Sequence, residues 1–260
     1  MTHFLHLQAV RYAYPQRRSG VQGVVQGMVQ GVVQGVSLHV DAGEIHVLVG
    51  RSGCGKTTLL KLAAGLLLPQ QGQVHLQGQA ISSPRPEMGF VFQSPTLLNW
   101  LSVHDNILLP LQLHRALTQD DRHRAEQLLS QLGLDGMSQA RPQQLSGGQQ
   151  SRVAIARALI ARPTVLFMDE PFAALDAITR EELQHDFSKL CRAQGIAVLF
   201  VTHDLREAVF LGDRVSLMQS GHLQTPLAIS LPHPRDSALR FGPEFNALCA
   251  QLRQAMDGGL

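Results

Sequence analysis

The apolar positions of this 260-residue chain gather into short, nearly unbroken runs. Residues 45–49, 164–168 and 196–201 each predict a strand covered on both faces, the pattern of a parallel sheet flanked by helices. Between them the spacing lengthens. Residues 56–68 are rich in Leu and Ala and predict a helix, and residues 97–113 form another apolar-rich stretch. Residues 118–132 interleave Asp120, Asp121 and Glu126 with Arg122 and Arg124, as a helix with a solvated face does. The most apolar stretches, residues 59–68 and 196–201, are too short to span a bilayer, and Lys61 interrupts the first.

The chemistry sits just past the carboxyl ends of the strands. Gly50, Arg51, Ser52, Gly53, Cys54, Gly55, Lys56 and Thr57 match G-x-x-x-x-G-K-[ST], and Thr58 follows. Gly50, Gly53 and Gly55 let the backbone curl so that successive N–H groups face phosphate oxygens, and the helix N-terminus adds partial positive charge. By the mechanics of this loop Lys56 is expected to reach the β- and γ-phosphates of a nucleoside triphosphate, and the Thr57 hydroxyl to ligate Mg²⁺. The second strand delivers Asp169 and Glu170 to the same edge, because parallel sheets hold ligands beyond the carboxyl ends of their strands. Asp169 is the expected Mg²⁺ partner, and Glu170 is placed to orient and deprotonate an attacking water. The third strand ends in Thr202, His203 and Asp204. His203 can donate to a γ-phosphate or hold the water against Glu170.

Composition narrows the alternatives. A net charge of +2, with 22 Lys and Arg against 20 Asp and Glu, lacks the basic excess of a general nucleic-acid surface. Cys54, Cys191 and Cys249 lie far apart with no C-x-x-C, which fits a reducing compartment, and the 12 histidines show no metal-ligand spacing. The N-terminus lacks the pattern of a secretory signal, and with no apolar stretch long enough to span a bilayer any membrane role is expected to be peripheral.

Leu145, Ser146, Gly147, Gly148 and Gln149 stand 20 residues before Val165, ahead of the acidic strand end. With the phosphate loop, this pentapeptide makes the chain resemble, from about residue 5 to residue 256, the ATPase subunits of bacterial ABC importers. The resemblance implies an α/β P-loop NTPase with a mostly parallel core sheet and an antiparallel β-subdomain. It also implies one domain over residues 1–260, with an inserted helical subdomain at about 94–160 and a tail at about 222–260. Ser146, Gly147, Gly148 and Gln149 would open a helix running to about Leu159 and bind the γ-phosphate of ATP held by a second ATPase subunit. Gln93 matches the glutamine that touches Mg²⁺ and water, Asp176 the aspartate that crosses the dimer interface, and His203 the switch histidine. Tyr14, or else Tyr12, matches the aromatic that stacks on adenine. The neighbourhood of Trp100 would form a groove for a cytoplasmic helix of a transmembrane permease, with Trp100 either an exposed anchor or a core residue.

Residues 95–100 and 105–111, with Leu231-Pro-His-Pro-Arg-Asp and Pro243-Glu-Phe, are similar to importers for nitrate, taurine and alkylsulfonates. That implies a peripheral subunit on the cytoplasmic face of the inner membrane, served indirectly by a solute-binding protein. An exporter ATPase and a soluble non-transport ABC ATPase are the alternatives; a single copy of each motif and the lack of heptads or C-x-x-C speak against the second.

Two departures from the family pattern stand out. Gln150, Ser151 and Arg152 after the pentapeptide are slightly off the commonest pattern. Residues 21–35 repeat Val-Gln-Gly in units of four, where the family has a shorter connection. Four glycines disfavour a helix by about 1 kcal/mol each relative to Ala, whereas the β-branched valines suit extended structure. A lengthened hairpin or a mobile loop is expected, with residues 24–35 dispensable and Val36 entering the next strand.

Overall fold

The computed structural model describes residues 4–15 and 32–258. The chain begins with β1 (Leu5–Tyr12), β2 (Val33–Val40), β3 (Ile45–Val49), α1 (Lys56–Ala63), β4 (Gln71–Leu76), β5 (Gln79–Ala80) and β6 (Met88–Val91). A helical stretch follows: α2 (Val103–Gln112), α3 (Gln119–Gln131) and α4 (Gly147–Leu159). Strands and helices then alternate through β7 (Val165–Asp169), α5 (Ala177–Gln194), β8 (Ala197–Val201), α6 (Leu205–Leu211) and β9 (Arg214–Gln219). Two short strands, β10 (His222–Leu223) and β11 (Leu227–Ala228), lead to a closing helix, α7 (Pro243–Asp257).

These elements form the expected α/β architecture. The larger sheet runs β10-β9-β3-β8-β7-β6, and β9, β3, β8, β7 and β6 are mutually parallel. The smaller sheet, β2-β1-β4-β5, is antiparallel. All five residues of β3, β7 and β8 are buried, and their sequences are apolar apart from Asp169 at the end of β7 and His46 in β3, whose ring nitrogen lies 2.8 Å from the Ser216 hydroxyl. Alternate residues serve two separate cores. Val47, Met168 and Phe200 face the layer of α2 to α7, while Leu48, Phe167 and Leu199 face α1 and the antiparallel sheet.

The predicted strands lie within a residue of those observed. The second begins at Val165 rather than 164 and keeps Asp169 as its last paired residue, opposite Val201. The third begins at Ala197 rather than 196. The first helix is shorter than expected, ending at Ala63 instead of 68. Gly65 takes a left-handed φ of 71°, the Leu66 N–H closes on the Lys61 carbonyl at 2.9 Å, and Leu66 and Leu68 are left exposed.

Side-chain caps fix the helical layer. Ser102, Thr118 and Ser146 accept backbone N–H groups at the starts of α2, α3 and α4. Thr118 and Asp121 form a reciprocal capping box, and Arg115 grips Asp121 through two bonds of 2.6 and 2.7 Å.

The end of the chain is clasped onto α6. The buried Arg235 guanidinium donates to the carbonyls of Val209, Phe210 and Gly212 at 2.8–3.0 Å, satisfying acceptors at a helix C-terminus. Arg240, also buried, lies over the Phe210 ring at 3.7 Å.

Residues 21–31 of the Val-Gln-Gly repeat lie outside the described residues, so the expected hairpin or loop is not described there. Its last unit corrects one expectation. Val33, Gln34 and Gly35 already belong to β2, with Val33 opposite Tyr12 and Gln34 opposite Arg11, and the Gln34 N–H reaches the Gly221 carbonyl at 2.8 Å. The strand therefore starts before Val36, and residues 33–35 belong to it rather than to the connection.

Candidate active site

The phosphate loop connects β3 to α1, and its backbone geometry demands glycine. Gly55 has φ of 110°, and a Cβ there would lie 2.4 Å from the Val32 carbonyl oxygen. The loop thereby leaves its N–H groups at the N-terminus of α1, an anion-binding arrangement. Ser52, Gly53, Gly55, Lys56, Thr57 and Thr58 line one pocket together with Val32, Gln93 and Glu170. Within the loop, the Lys56 ammonium donates to the carbonyls of Gly50 and Arg51 at 2.8 and 3.1 Å and lies 3.9 Å from the Cys54 sulfur. The Arg51 side chain is exposed and lies 3.6 Å from Asp257 on α7.

The acids arrive from β7. Asp169 accepts the Thr57 hydroxyl at 2.9 Å. Burial raises its pKa above the ordinary carboxylate value, and the Thr57 bond opposes that shift only in part. Glu170, the next residue, has left-handed backbone with φ of 44°, a conformation that costs energy for any residue but glycine. Its Oε2 meets Nδ1 of His203, from the end of β8, at 2.8 Å. The Glu170 carboxylate is largely covered and the His203 ring is mostly exposed. Three strands thus bring the predicted Lys56, Thr57, Asp169, Glu170 and His203 to one edge, with Gln93 on the same pocket wall from just past β6.

Tyr14 stands at the rim. Its ring is exposed, its hydroxyl lies 3.3 Å from the Thr58 hydroxyl, and Tyr12 packs edge-on against it at 5.1 Å. The exposed face belongs to Tyr14 rather than to the half-buried Tyr12. Trp100 is also an exposed ring, 69% accessible, so its core alternative is overturned. The Arg141 guanidinium holds the Trp100 carbonyl, leaving the indole outside. An apolar groove lies nearby, lined by Phe90, Phe92, Leu98, Leu109, Leu113 and Arg157 among others.

Ser146 to Gln149 and Asp176 are not among the residues lining the phosphate-loop pocket. They adjoin one another instead. Ser146 caps α4 with its Oγ 3.2 Å from the Gln149 N, and a Cβ on Gly148 would lie 3.3 Å from Thr179. Asp176 caps α5, and the Thr179 N–H it accepts at 3.0 Å holds its carboxyl below the usual range. Ser146 and Gly147 are exposed; the Ser146 N–H is taken by the Gln149 side chain at 2.9 Å, while no partner is seen among the described residues for the N–H groups of Gly147 and Gly148.

Sequence reading missed a polar seam behind the site. Arg180 and Gln184, one turn apart on α5, meet Asp204 and Glu207 at the start of α6. Gln184 donates to Glu207 at 2.7 Å and accepts from Arg240 at 2.5 Å. Burial pushes the Glu207 carboxyl up to about 7. The only signal in the sequence was helical spacing, since residues 180 and 184 fall on one face.

The ABC transporter family model matches residues 33–173. The nitrate import ATP-binding protein NrtD of Synechococcus elongatus is 41% identical over 263 residues, covering 98% of this chain and 91% of that protein. The taurine import ATP-binding protein TauB of Escherichia coli is 46% identical over 185 residues, covering 71% and 72%. Among solved structures, a dimeric post-hydrolysis state of the ATP-binding cassette MJ0796 bound to ADP and Pi superposes with a TM-score of 0.76. It is 29% identical and covers 88% of this chain and all of that one.

Proposed function

Since the chain belongs to the ABC transporter family as an ATP-binding, ATP-hydrolysing subunit, we propose that it powers import of a small solute of the nitrate, taurine or sulfonate kind. The observation that carries the mechanism is the convergence of Lys56, Thr57 and Glu170 on one pocket, with His203 2.8 Å behind Glu170. The triphosphate lies in the loop of residues 50–58, and adenine stacks on Tyr14. Lys56 leaves the carbonyls of Gly50 and Arg51 for the β- and γ-phosphates.

The donor set fits Mg²⁺. The Thr57 hydroxyl, the Asp169 carboxylate and the Gln93 amide are all hard oxygen ligands. A buried carboxylate whose pKa burial has raised gains from an adjacent cation. When bound, the ion supplies charge neutralisation across the phosphates. Glu170 accepts the proton of the attacking water, and His203 holds the carboxylate and the water in register.

The signature helix completes the site of a second copy. Ser146, Gly147, Gly148 and Gln149 do not line the pocket of their own chain; the capping box takes the N–H groups of Ser146 and Gln149 and leaves those of Gly147 and Gly148 at the helix N-terminus beside Asp176. They suit the γ-phosphate held by a partner arranged head to tail, giving a two-fold assembly with two sites. The groove of Phe90, Leu98 and Leu109 receives a permease helix, with Trp100 at its margin. Among the described residues no helix is long and apolar enough to cross a membrane, in keeping with a peripheral subunit at the cytoplasmic face. A solute-binding protein completes the transporter without touching this chain, and no nucleic acid takes part.

Phosphate release by the full chain tests this reading. With Mg²⁺ and ATP, the rate should rise as the square of protein concentration at low concentration. A specific activity independent of concentration would refute the shared site. Uptake of labelled taurine and nitrate, by cells with and without an intact coding sequence, tests the solute class.

A further inference from the structure

The segments that leave Glu170 and His203 are tied together by one side chain. After Glu170 the chain turns tightly: the Ala173 N–H meets the Glu170 carbonyl at 3.1 Å, and the Leu175 N–H meets that of Phe172 at 3.2 Å. Arg180, reaching back from α5, donates from Nε to the Phe172 carbonyl at 3.3 Å and from Nη2 to the Leu175 carbonyl at 2.6 Å. Its third nitrogen, Nη1, lies 3.9 Å from Oδ2 of Asp204, the residue after His203. Asp204 in turn fixes the first turn of α6 through the N–H groups of Arg206 and Glu207, and its own N–H bonds the Thr202 hydroxyl. Arg180, Asp204, Glu170 and His203 line one small cavity with Phe172, Thr202 and Glu207.

We propose that Arg180 is a positioning residue for hydrolysis, holding Glu170 and His203 at their working separation. The proposal rests on the ATPase mechanism given above. Glu170 needs such support because its left-handed backbone is strained, and a turn free to relax would swing its carboxylate away. The His203 ring is mostly exposed, and among the described residues its one side-chain tie is from Nδ1 to Glu170, so it depends on its backbone being fixed. A guanidinium suits the task because its planar fork serves two carbonyls and one carboxylate at once, which a lysine ammonium cannot do from a single point. Arg180 does not line the phosphate-loop pocket, so its loss should leave ATP binding unchanged.

The test uses the full chain and separates kcat from KM. Arg180→Gln should lower kcat on the order of tenfold to a hundredfold, the cost of misplacing a catalytic group by about 1 Å, with KM for ATP within about twofold. Arg180→Lys should recover part of the loss. Asp204→Asn keeps the helix cap but removes the charge facing Arg180, so the double variant should fall no lower than Arg180→Gln alone. Where Arg180→Gln does not fold, Arg180→Lys and Asp204→Asn carry the test, each lowering kcat at constant KM. Wild-type turnover that Glu170→Gln abolishes is the control, and its failure would bring down the ATPase mechanism itself. With that control intact, wild-type kcat in Arg180→Gln, or a rise in KM alone, would overturn the positioning role.

Discussion

Replacing Glu170 by Gln removes one function and keeps almost everything else. Gln has the same shape, and the strain of φ 44° is the same for either residue. The 2.8 Å contact with His203 survives, because the amide oxygen accepts the Nδ1 proton as the carboxylate does. Asp169, Thr57 and Lys56 make their bonds to other atoms and are undisturbed. On the proposed mechanism what is lost is the acceptor for the water proton, and a positioned base contributes typically ~10²–10⁴-fold. That corresponds to about 3–5 kcal/mol of barrier. Phosphate release should fall by that factor while ATP affinity, measured by titration with a fluorescent analogue, stays within about twofold. Size-exclusion chromatography with Mg²⁺ and ATP should then show a long-lived dimer, since closure proceeds and hydrolysis does not. A variant hydrolysing within about threefold of wild type would remove Glu170 from the role of base.

Other variants probe the remaining parts. Lys56→Ala should abolish tight ATP binding, whereas Ser146→Arg, at an exposed cap worth about 1 kcal/mol, should preserve binding to one subunit and block turnover; equal loss of binding in both would refute the cross-subunit site. Glu207 has a folded pKa raised to about 7 from 4.5, so the stability it lends is complete below about pH 4.5 and lost as pH rises to about 7. Glu207→Gln should escape that loss and exceed wild type by up to about 3 kcal/mol at pH 8, or several degrees in Tm; parallel Tm profiles from pH 4.5 to 8 would refute it. Deleting residues 24–35 should lower Tm by removing the start of β2, while deleting residues 24–27 should cost less, and identical melting curves would show that the pairing of Val33 and Gln34 contributes nothing.

The parts legible in the sequence are those where one local rule decides. Nearly unbroken apolar runs marked β3, β7 and β8, because a strand covered on both faces has few polar positions, here His46 and the terminal Asp169. Lys56, Thr57, Asp169, Glu170 and His203 followed from strand ends, where backbone direction alone selects the edge of the sheet. Gly65 ended α1 early because a left-handed cap outweighed three further leucines. Three arginines that hold the chain together escaped notice for a different reason. Arg180, Arg235 and Arg240 read as surface charge, and only tertiary structure brings carbonyls and carboxylates to them. The antiparallel sheet was equally hidden strand by strand. Ala9 interrupts the alternation of β1 with a bulge, its φ of 47° and its N–H taken by the Ser37 hydroxyl at 3.0 Å.

The clasp of Arg235 on α6 also sets an order of events while the chain is being made. Lys56, Asp169, Glu170 and His203 all leave the ribosome before the residue that closes the helix behind His203. Seven residues are too few for a helix to persist unaided, so α6 must wait for a cation encoded more than twenty positions later. A nascent chain therefore carries Lys56, Asp169, Glu170 and His203 before Arg235 is there to close α6. Stalled nascent chains ending ahead of Arg235 should be cut by protease near α6, and chains extended past Arg240 should resist.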